Sequence, residues 1–240
     1  MNYSGFDNED RIIRALNNTE FRELNNNLQK LIESSFSNYS GIIKCTKQAG
    51  QNKSDLKITM GSESHTYSIK KGTGNSIHQE PIEDFLEFLN IYKINSQIKN
   101  SIRFFIWGDG SLNGSGKVQN RLSATQLKRQ YPEKLLEIQT FFDSIKKSLI
   151  ERFVITGAKS IISADYIYYG TIEEGVCCNS EKAVDWILNN PSNGAINIGR
   201  LTFQAWNRNI KGDDKSEKKR GSIQLKWGTV KDDIKLISYE

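Results

Sequence analysis

The sequence predicts a protein of mixed helices and strands, in the α/β or α+β class. Apolar residues recur at helical spacing between residues 12 and 32, and a strand-turn-strand pattern occupies residues 53–71. Apolar and polar residues then alternate partly between residues 195 and 206. Because helix-like and strand-like segments are interspersed along the chain, we expect both kinds of element to share one core.

The first third of the chain predicts a helix followed by strands. Asp7 or Asn8 is a suitable cap for the first helix. Residues 41–45 and both halves of the hairpin 53–71 predict strands. Residues 72–76 form a glycine-rich loop.

The middle of the chain, residues 79–152, is predicted to be mainly helical. Pro81 is expected in the first turn of a helix, where its missing N–H costs nothing. Residues 101–107 are apolar and β-prone and predict a strand, whereas the glycine-rich stretch 108–116 predicts a loop. From residue 122 the apolar spacing is helical again.

The C-terminal region, residues 194–240, predicts a set of antiparallel strands. A bulge is expected at Gly199, and residues 222–227 and 234–239 complete the set. No repeat or long linker interrupts the 240 residues, so we expect a single domain.

Composition limits the class of protein. The three cysteines, Cys45, Cys177 and Cys178, lack metal-ligand spacing, and there are only two histidines, which argues against a structural zinc site. The odd cysteine count indicates a reducing compartment. There is no secretory signal pattern and no run near the roughly 18 apolar residues of a membrane helix. We therefore expect a soluble cytoplasmic protein; its net charge of +5 is compatible with nucleic acid.

The hairpin 53–71 carries residues suited to phosphodiester hydrolysis. Ser68 and Lys70 lie two apart on one strand, so their side chains share a face. Asp55, at the start of the preceding strand, is a hard oxygen ligand suited to Mg²⁺. Lys70 is suited to orient water or neutralise phosphate charge, whereas Ser68 is a weak ligand. A surface hairpin with solvated charges would show the same pattern.

The motif Ser54-Asp55 followed by Ser68-Ile-Lys70 resembles the catalytic core of PD-(D/E)xK nucleases. Residues 194–204, 211–214 and 222–226 resemble the C-terminal recognition region of small type II restriction endonucleases of the MspI type, which are four-base cutters. The resemblance implies an α/β fold with a mixed β-sheet flanked by helices and a β-rich DNA-recognition region. It also implies Mg²⁺ dependence and cleavage of both strands of a short duplex DNA site.

Within this resemblance, Asp55 is a metal ligand and Lys70 the catalytic cation. The residue two before the lysine is usually a second acidic ligand, and family members replace it by Asn or Gln. Ser68 departs further from the family pattern. It is a direct metal ligand, a ligand through a water molecule, or not a ligand. Glu63 or Glu80 is then expected to complete the metal site, and Glu80 is favoured because it follows the lysine strand near a predicted helix start.

Two segments are candidates for contact with DNA. The loop after the hairpin offers cationic and hydrogen-bonding side chains for phosphates or base edges, namely Lys71, Asn75, Ser76, His78 and Gln79. Its alternative role is that of a helix cap.

The C-terminal segment offers Arg, which reads guanine, and Asn or Gln, which read adenine. Its candidates are Asn197, Arg200, Gln204, Arg208 and Lys211. Residues 200–228 contain eight Lys/Arg and three Asp/Glu, a balance equal to the net charge of the whole chain. This localisation favours a phosphate-binding face over evenly solvated charge.

These features predict a Mg²⁺-dependent type II restriction endonuclease that binds double-stranded DNA as a monomer or homodimer. A gene for the cognate DNA methyltransferase is expected nearby. The alternatives are a repair or nicking nuclease of the same fold and a catalytically inert DNA-binding protein.

Overall fold

The structure is a computed structural model that describes residues 5–50, 52–159 and 161–239. The strands are β1 (Thr19–Glu20), β2 (Ile42–Lys47), β3 (Leu56–Met60), β4 (Glu63–Lys70), β5 (Ser76–Pro81), β6 (Tyr166–Gly170), β7 (Gly175–Asn179), β8 (Asn197–Ile198), β9 (Leu201–Ala205) and β10 (Ser222–Lys226). The α-helices are α1 (Gly5–Leu16), α2 (Asn26–Glu33), α3 (Ile82–Leu89), α4 (Ser96–Trp107), α5 (Ala124–Gln130), α6 (Pro132–Ser144), α7 (Lys146–Glu151), α8 (Ser180–Asn189), α9 (Asp214–Glu217) and α10 (Val230–Tyr239). The predicted mixture of helices and strands is confirmed, and the fold class is α/β.

The chain groups into two compact units, each assembled from separate segments. The hairpin unit comprises Met1–Asn75, Glu151–Trp186 and Thr229–Glu240, and the basic unit comprises Ser76–Ile150 and Ile187–Gly228. The predicted catalytic hairpin falls in the first of these. Most of the predicted helical middle and the C-terminal strands fall in the second.

The hairpin unit is built on a six-stranded sheet in the order β1-β2-β3-β4-β6-β7. Strands β2, β3 and β4 form an antiparallel meander, β6 is parallel to β4, and β7 is antiparallel to β6. Ile12 and Leu16 of α1, together with Leu31 of α2, are buried in one core cluster with Ile58 of β3. This apolar face fixes α1 against the sheet, which places the polar residues of α1 beside the hairpin.

The basic unit is built on a four-stranded antiparallel sheet in the order β5-β10-β9-β8. Its core is aromatic: Phe85, Phe142 and Phe105 all have ring contacts with Phe203 of β9. These rings lie on one face of the sheet, so its other face is left to the alternate residues of the strands.

Two segments predicted as strands are helices. Residues 101–107 belong to α4, where Asn95 accepts a hydrogen bond from the Ile98 N–H at 2.9 Å and Gly108 ends the helix in the left-handed conformation. Residues 234–239 belong to α10, whose buried residues Ile234 and Ile237 are three apart. Burial at helical spacing outweighs the β-prone side chains in both helices, and in α4 the caps add to this effect.

Three local predictions were also wrong. Gly199 is not a bulge: with φ near +58° it forms the two-residue turn between β8 and β9. Pro81 ends β5 and caps α3 instead of lying in the first helical turn. Asn8 lies inside α1, which begins at Gly5, and donates from its amide to the Gly170 carbonyl at 2.9 Å.

Helical structure from residue 122 onward is confirmed as α5, α6 and α7, followed by a π-helical turn at Arg152–Thr156. Cys45, Cys177 and Cys178 are all buried, and none of the three forms a disulfide bond. Within the residues that the structure describes, none of the helices combines the length and apolar character needed to cross a bilayer.

Candidate active site on the hairpin

Asp55 is fixed to the neighbouring strand by backbone groups. It immediately precedes β3, and its N–H donates to the Tyr67 carbonyl of β4 at 2.8 Å. Its Oδ2 atom accepts a hydrogen bond from the Ile69 N–H at 2.6 Å. The pairing of Leu56 with Tyr67 in the hairpin register makes this contact possible. The carboxylate is therefore positioned before any ligand arrives.

The hairpin brings Asp55, Ser68 and Lys70 together, as the sequence predicts. The Lys70 Nζ atom is 2.9 Å from Ser68 Oγ and 3.6 Å from Asp55 Oδ2. About a quarter of the Lys70 and Asp55 side chains is exposed, at 26% and 23%, whereas Ser68 is 1% exposed. The cation and the carboxylate are thus accessible to a ligand, while the serine lies beneath them.

Glu9 of α1 joins this cluster, although the sequence analysis did not select it. Its carboxylate is 3.8 Å from Lys47 Nζ, and Lys47 pairs with Leu56, the residue after Asp55. Burial raises the pKa of Glu9 above its usual range and the charge of Asp55 raises it further, against the opposing effect of Lys47 and Lys70. Two carboxylates therefore interact at one end of the hairpin.

A signal for Glu9 existed in the sequence. Glu9 precedes Ile12 by three residues, so a helix places both on neighbouring positions of one face. An acid beside the apolar face of the first helix faces whatever sheet that helix covers. Its proximity to Asp55, however, depends on the pairing of β2 with β3, which the sequence does not reveal.

Neither of the two acids proposed to complete the metal site is placed with this cluster in the hairpin unit. Glu63 lies at the opposite, turn end of the hairpin, where it is 3.0 Å from His65 Nε2 and accepts from Ser37 Oγ at 3.1 Å. Glu80 belongs to the basic unit, where its side chain is 2% exposed and lies 3.0 Å from His78 Nε2. Glu9, unlike either of them, is an acid whose pKa is raised by the charge of Asp55.

The donor set of this cluster fits a magnesium ion. Mg²⁺ is typically held by one or two carboxylates and keeps several waters, so a full protein cage is not required. Glu9 and Asp55 supply two carboxylates, and Ser68 supplies a neutral oxygen. Across residues 5–50, 52–159 and 161–239, no group of three or more His, Cys, Asp or Glu residues forms a metal cage.

The predicted DNA-contacting loop is divided between the two units. Lys71 and Asn75 are half-buried in the hairpin unit. Ser76, His78 and Gln79 are on β5 of the basic unit, and of these only Gln79 is exposed. His78 is 9% exposed and faces the core with Glu80, so the structure does not support its role as a DNA contact.

The C-terminal candidates also differ in their placement. Asn197 stabilises the turn before β8, where its Oδ1 atom accepts from Ser192 Oγ and the Gly194 N–H, both at 2.8 Å. Arg208 donates from Nη1 to the Phe105 carbonyl at 2.6 Å and covers that ring, and burial lowers the pKa of its guanidinium to about 10. Neither side chain is presented to a ligand.

Three of the C-terminal candidates remain accessible. Lys211 is exposed, and Arg200 and Gln204 are half-buried. Arg200 lies in the β8–β9 turn, and its N–H donates to the Ile187 carbonyl at 2.8 Å. Gln204 lies in the middle of β9 and faces away from the aromatic core.

The glycine-rich loop 108–116 is organised around a buried ion pair that sequence analysis did not find. Asp109 accepts from the N–H and Oγ of Ser111 at 2.9 and 2.7 Å, and from Arg220 Nη2 at 3.0 Å. The Asp109 and Arg220 side chains are 0% and 5% exposed. The two residues are 111 positions apart, so spacing in the sequence gives no indication of the pair.

Compared with protein-family models and with curated protein sequences, the chain has no match in either set. The geometry of the hairpin and the chemistry of its residues therefore carry the functional argument.

Proposed function

We propose that this protein is a Mg²⁺-dependent deoxyribonuclease of the PD-(D/E)xK class, and specifically a type II restriction endonuclease. One observation carries the proposal: the Lys70 ammonium lies 2.9 Å from Ser68 Oγ and 3.6 Å from Asp55 Oδ2 at one end of the hairpin. An accessible cation next to a fixed carboxylate is suited to phosphodiester hydrolysis, because the carboxylate can hold a metal ion and the cation can stabilise charge on the phosphate.

Each residue of the cluster has a separate role in this proposal. Asp55 and Glu9 would hold the magnesium ion, with Ser68 as a neutral ligand, directly or through water. The ion, when bound, supplies a Lewis acid and an activated water. Lys70 orients the attacking water or stabilises the charge that develops on the phosphate. The hydrogen bond from Ile69 to Asp55 keeps the carboxylate in position throughout.

Glu9 accounts for the departure at Ser68. A serine cannot replace the negative charge of the second acidic ligand, and Glu9 supplies that charge from α1. The interaction between the Glu9 and Asp55 carboxylates favours a divalent cation, because a cation would relieve their mutual repulsion. The fold supports the proposal through its mixed sheet and its flanking helices.

The distribution of charge favours DNA as the substrate. The basic unit contains 18 Lys/Arg and 11 Asp/Glu, a net charge of +7, whereas the hairpin unit contains 15 and 17, a net charge of −2. A concentrated positive charge attracts the phosphate backbone. We further propose the cytoplasm as its location, a monomer or homodimer as its state, and a neighbouring methyltransferase gene.

A cleavage assay tests the function. The protein is incubated with unmethylated phage DNA in Mg²⁺, and in EDTA as a control. Discrete double-strand fragments that depend on Mg²⁺ and are lost in Asp55→Ala support the proposal. Asp10→Ala is the matched control, since Asp10 is an exposed acid beside Glu9 that pairs with Lys47 at 2.8 Å. Full activity in Asp55→Ala would refute the site.

The assay also separates the alternatives. Single-strand nicks without discrete fragments would indicate a nicking or repair nuclease of the same fold. Binding without any cleavage would indicate an inert DNA-binding protein, a function favoured by one specific observation: Ser68, where the class carries an acid, is buried and already bonded to Lys70.

A further inference from the structure

The sheet of the basic unit carries a row of glutamines across three adjacent strands. Gln224 of β10 pairs in register with Gln79 of β5 on one side and with Gln204 of β9 on the other. Residues that pair in register project to the same face of a sheet. The three amides therefore lie side by side on the face opposite the aromatic core.

A bulge in β5 adds a fourth member to this row. The register shifts between Leu225 and Lys226, which leaves Ile77 as an extra residue in β5. Because of this extra residue, Ser76 lies on the same face as Gln79, although the two are three positions apart. Ser76, Gln79, Gln224 and Gln204 are called the amide row below.

Hydrogen bonds fix the orientation of the amide row. Gln204 Nε2 donates to Gln224 Oε1 at 2.9 Å, and Gln224 Nε2 donates to Ser76 Oγ at 3.1 Å. Gln79 Nε2 donates to the same Ser76 oxygen at 2.9 Å. Gln224 is 7% exposed and is bonded on both sides, whereas Gln79 is exposed and Gln204 half-exposed. The outer two glutamines are therefore the ones a ligand can contact.

Each outer amide keeps one N–H and its carbonyl oxygen beyond the bonds within the row. A glutamine that offers one donor and one acceptor matches the N7 and N6 atoms of adenine in the major groove. Gln79 and Gln204 lie on the strands either side of β10, a separation of about 10 Å at the usual ~4.8 Å strand spacing. Three base steps at ~3.4 Å cover the same length.

We propose that Gln79 and Gln204 read two A·T pairs about three base steps apart in duplex DNA, and that Gln224 and Ser76 are positioning residues that hold their amides. The inference rests on the proposed function, because it assigns the specificity of the same enzyme. Lys226 lies on the same face, two residues from Gln224, and is suited to contact a phosphate beside the bases read by the row.

The test is selection of duplexes from a random-sequence pool by the Asp55→Ala protein in Mg²⁺, so that bound DNA is not cut. The selected duplexes should carry A·T pairs at two positions about three steps apart. Adding Gln79→Ala should relax one position and Gln204→Ala the other, each lowering discrimination about 10- to 100-fold. Gln224→Leu should relax both positions while leaving the two reading residues in place.

Gln130→Ala is the matched control, since Gln130 is an exposed glutamine at the end of α5 in the same unit and outside the amide row. It should leave both positions unchanged, and thermal unfolding of every variant identifies any that fails to fold. Gln224→Glu is the second variant at that position, because it keeps the acceptor for Gln204 but cannot donate to Ser76.

Three outcomes overturn the inference: selection of duplexes without A·T preference, unaltered base preference in both Gln79→Ala and Gln204→Ala, or relaxation by Gln130→Ala to the same extent. Failure of the proposed function is recognised separately, by absence of Mg²⁺-dependent cleavage in the parent protein. If substitutions in the amide row change base preference but the parent protein does not cleave DNA, the base-reading inference is supported and the nuclease proposal is refuted.

Discussion

The two units of this chain use polar side chains in opposite ways. In the hairpin unit, charged groups are gathered and left partly accessible: Asp55 and Lys70 lie 3.6 Å apart with about a quarter of each side chain exposed. In the basic unit, the ion pair between Asp109 and Arg220 is buried, and neutral amides occupy the open face of the sheet.

This difference separates catalysis from recognition. A hydrolytic site needs charge where the substrate arrives, since the reaction moves charge. A reading surface needs fixed donors and acceptors, which neutral amides supply without binding every phosphate alike. Substitutions that neutralise a charge in the hairpin unit should therefore affect cleavage. Substitutions that remove an amide of the amide row should affect sequence preference.

The largest effect is expected from Lys70→Met. Removing the ammonium while keeping the aliphatic length should lower the cleavage rate about 100- to 1000-fold, the typical cost of one group that stabilises transition-state charge. Base preference in the duplex selection should be unchanged. The measurement is single-turnover cleavage of a labelled duplex, with Lys57→Met, an exposed lysine on β3, as control. A Lys70→Met protein that cuts at the parental rate would contradict the assignment of catalysis to the hairpin unit.

The second prediction concerns stability of the basic unit. Asp109→Asn removes the carboxylate that lies 3.0 Å from the buried Arg220 and leaves Glu217, at 3.4 Å, as its remaining acidic partner. We expect a loss of about 1.5–3 kcal/mol in the free energy of unfolding at pH 7. Burial raises the pKa of Asp109, but the hydrogen bonds from Ser111 and then from Arg220 outweigh it, so that the net pKa lies below the usual range.

Because the folded-state pKa is lowered, the contribution of Asp109 is present above its unfolded pKa of about 3.9 and is lost as the pH falls through the folded value. We therefore measure the free energy of unfolding in urea at pH 7 and near pH 3. The difference in this free energy between the parent and Asp109→Asn should be smaller at the lower pH. A difference that stays constant with pH would show that the ion pair is not its source.

Much of the hairpin site was predictable from the sequence, whereas its second carboxylate was not. Asp55, Ser68 and Lys70 lie within 16 residues, and strand periodicity alone places the last two on one face. Glu9 lies 46 residues before Asp55, and its position depends on the packing of α1 on β2. Local spacing predicts contacts within a hairpin but not between a helix and a distant strand.

In the basic unit too, local sequence patterns do not predict every element, and they do not predict which residues pair across strands. Residues 101–107 were predicted as a strand because Ile, Phe and Trp favour strands, yet the cap at Asn95 and the buried stripe of α4 make a helix. Gln79 and Gln204 were selected as single candidates. Gln224, which joins them, became visible only through the pairing of β10 with both neighbouring strands.

The third prediction tests whether Glu9 completes the hairpin site. Glu9→Gln removes the second carboxylate and should lower cleavage about 10- to 100-fold, the range for loss of a group that supports a metal site. Raising the Mg²⁺ concentration should restore part of the activity, because weaker binding of the ion is the cause. Titration of activity with Mg²⁺ measures this, and Asp10→Asn is the control. A loss that no Mg²⁺ concentration reverses would assign Glu9 another role.

The smallest effect is expected from Lys226→Met on the reading face. Removal of one phosphate contact should reduce the slope of log affinity against log salt by about 0.9, which is about a three-fold change in relative affinity between 50 and 200 mM salt. Base preference should remain, because the amide row is intact. Gln204→Ala should do the reverse and change preference without altering the slope. Fluorescence anisotropy of a labelled duplex across this salt range gives both quantities. If Lys226→Met altered base preference and Gln204→Ala altered the salt slope, the separation of phosphate contact by charge from base reading by amides would be wrong.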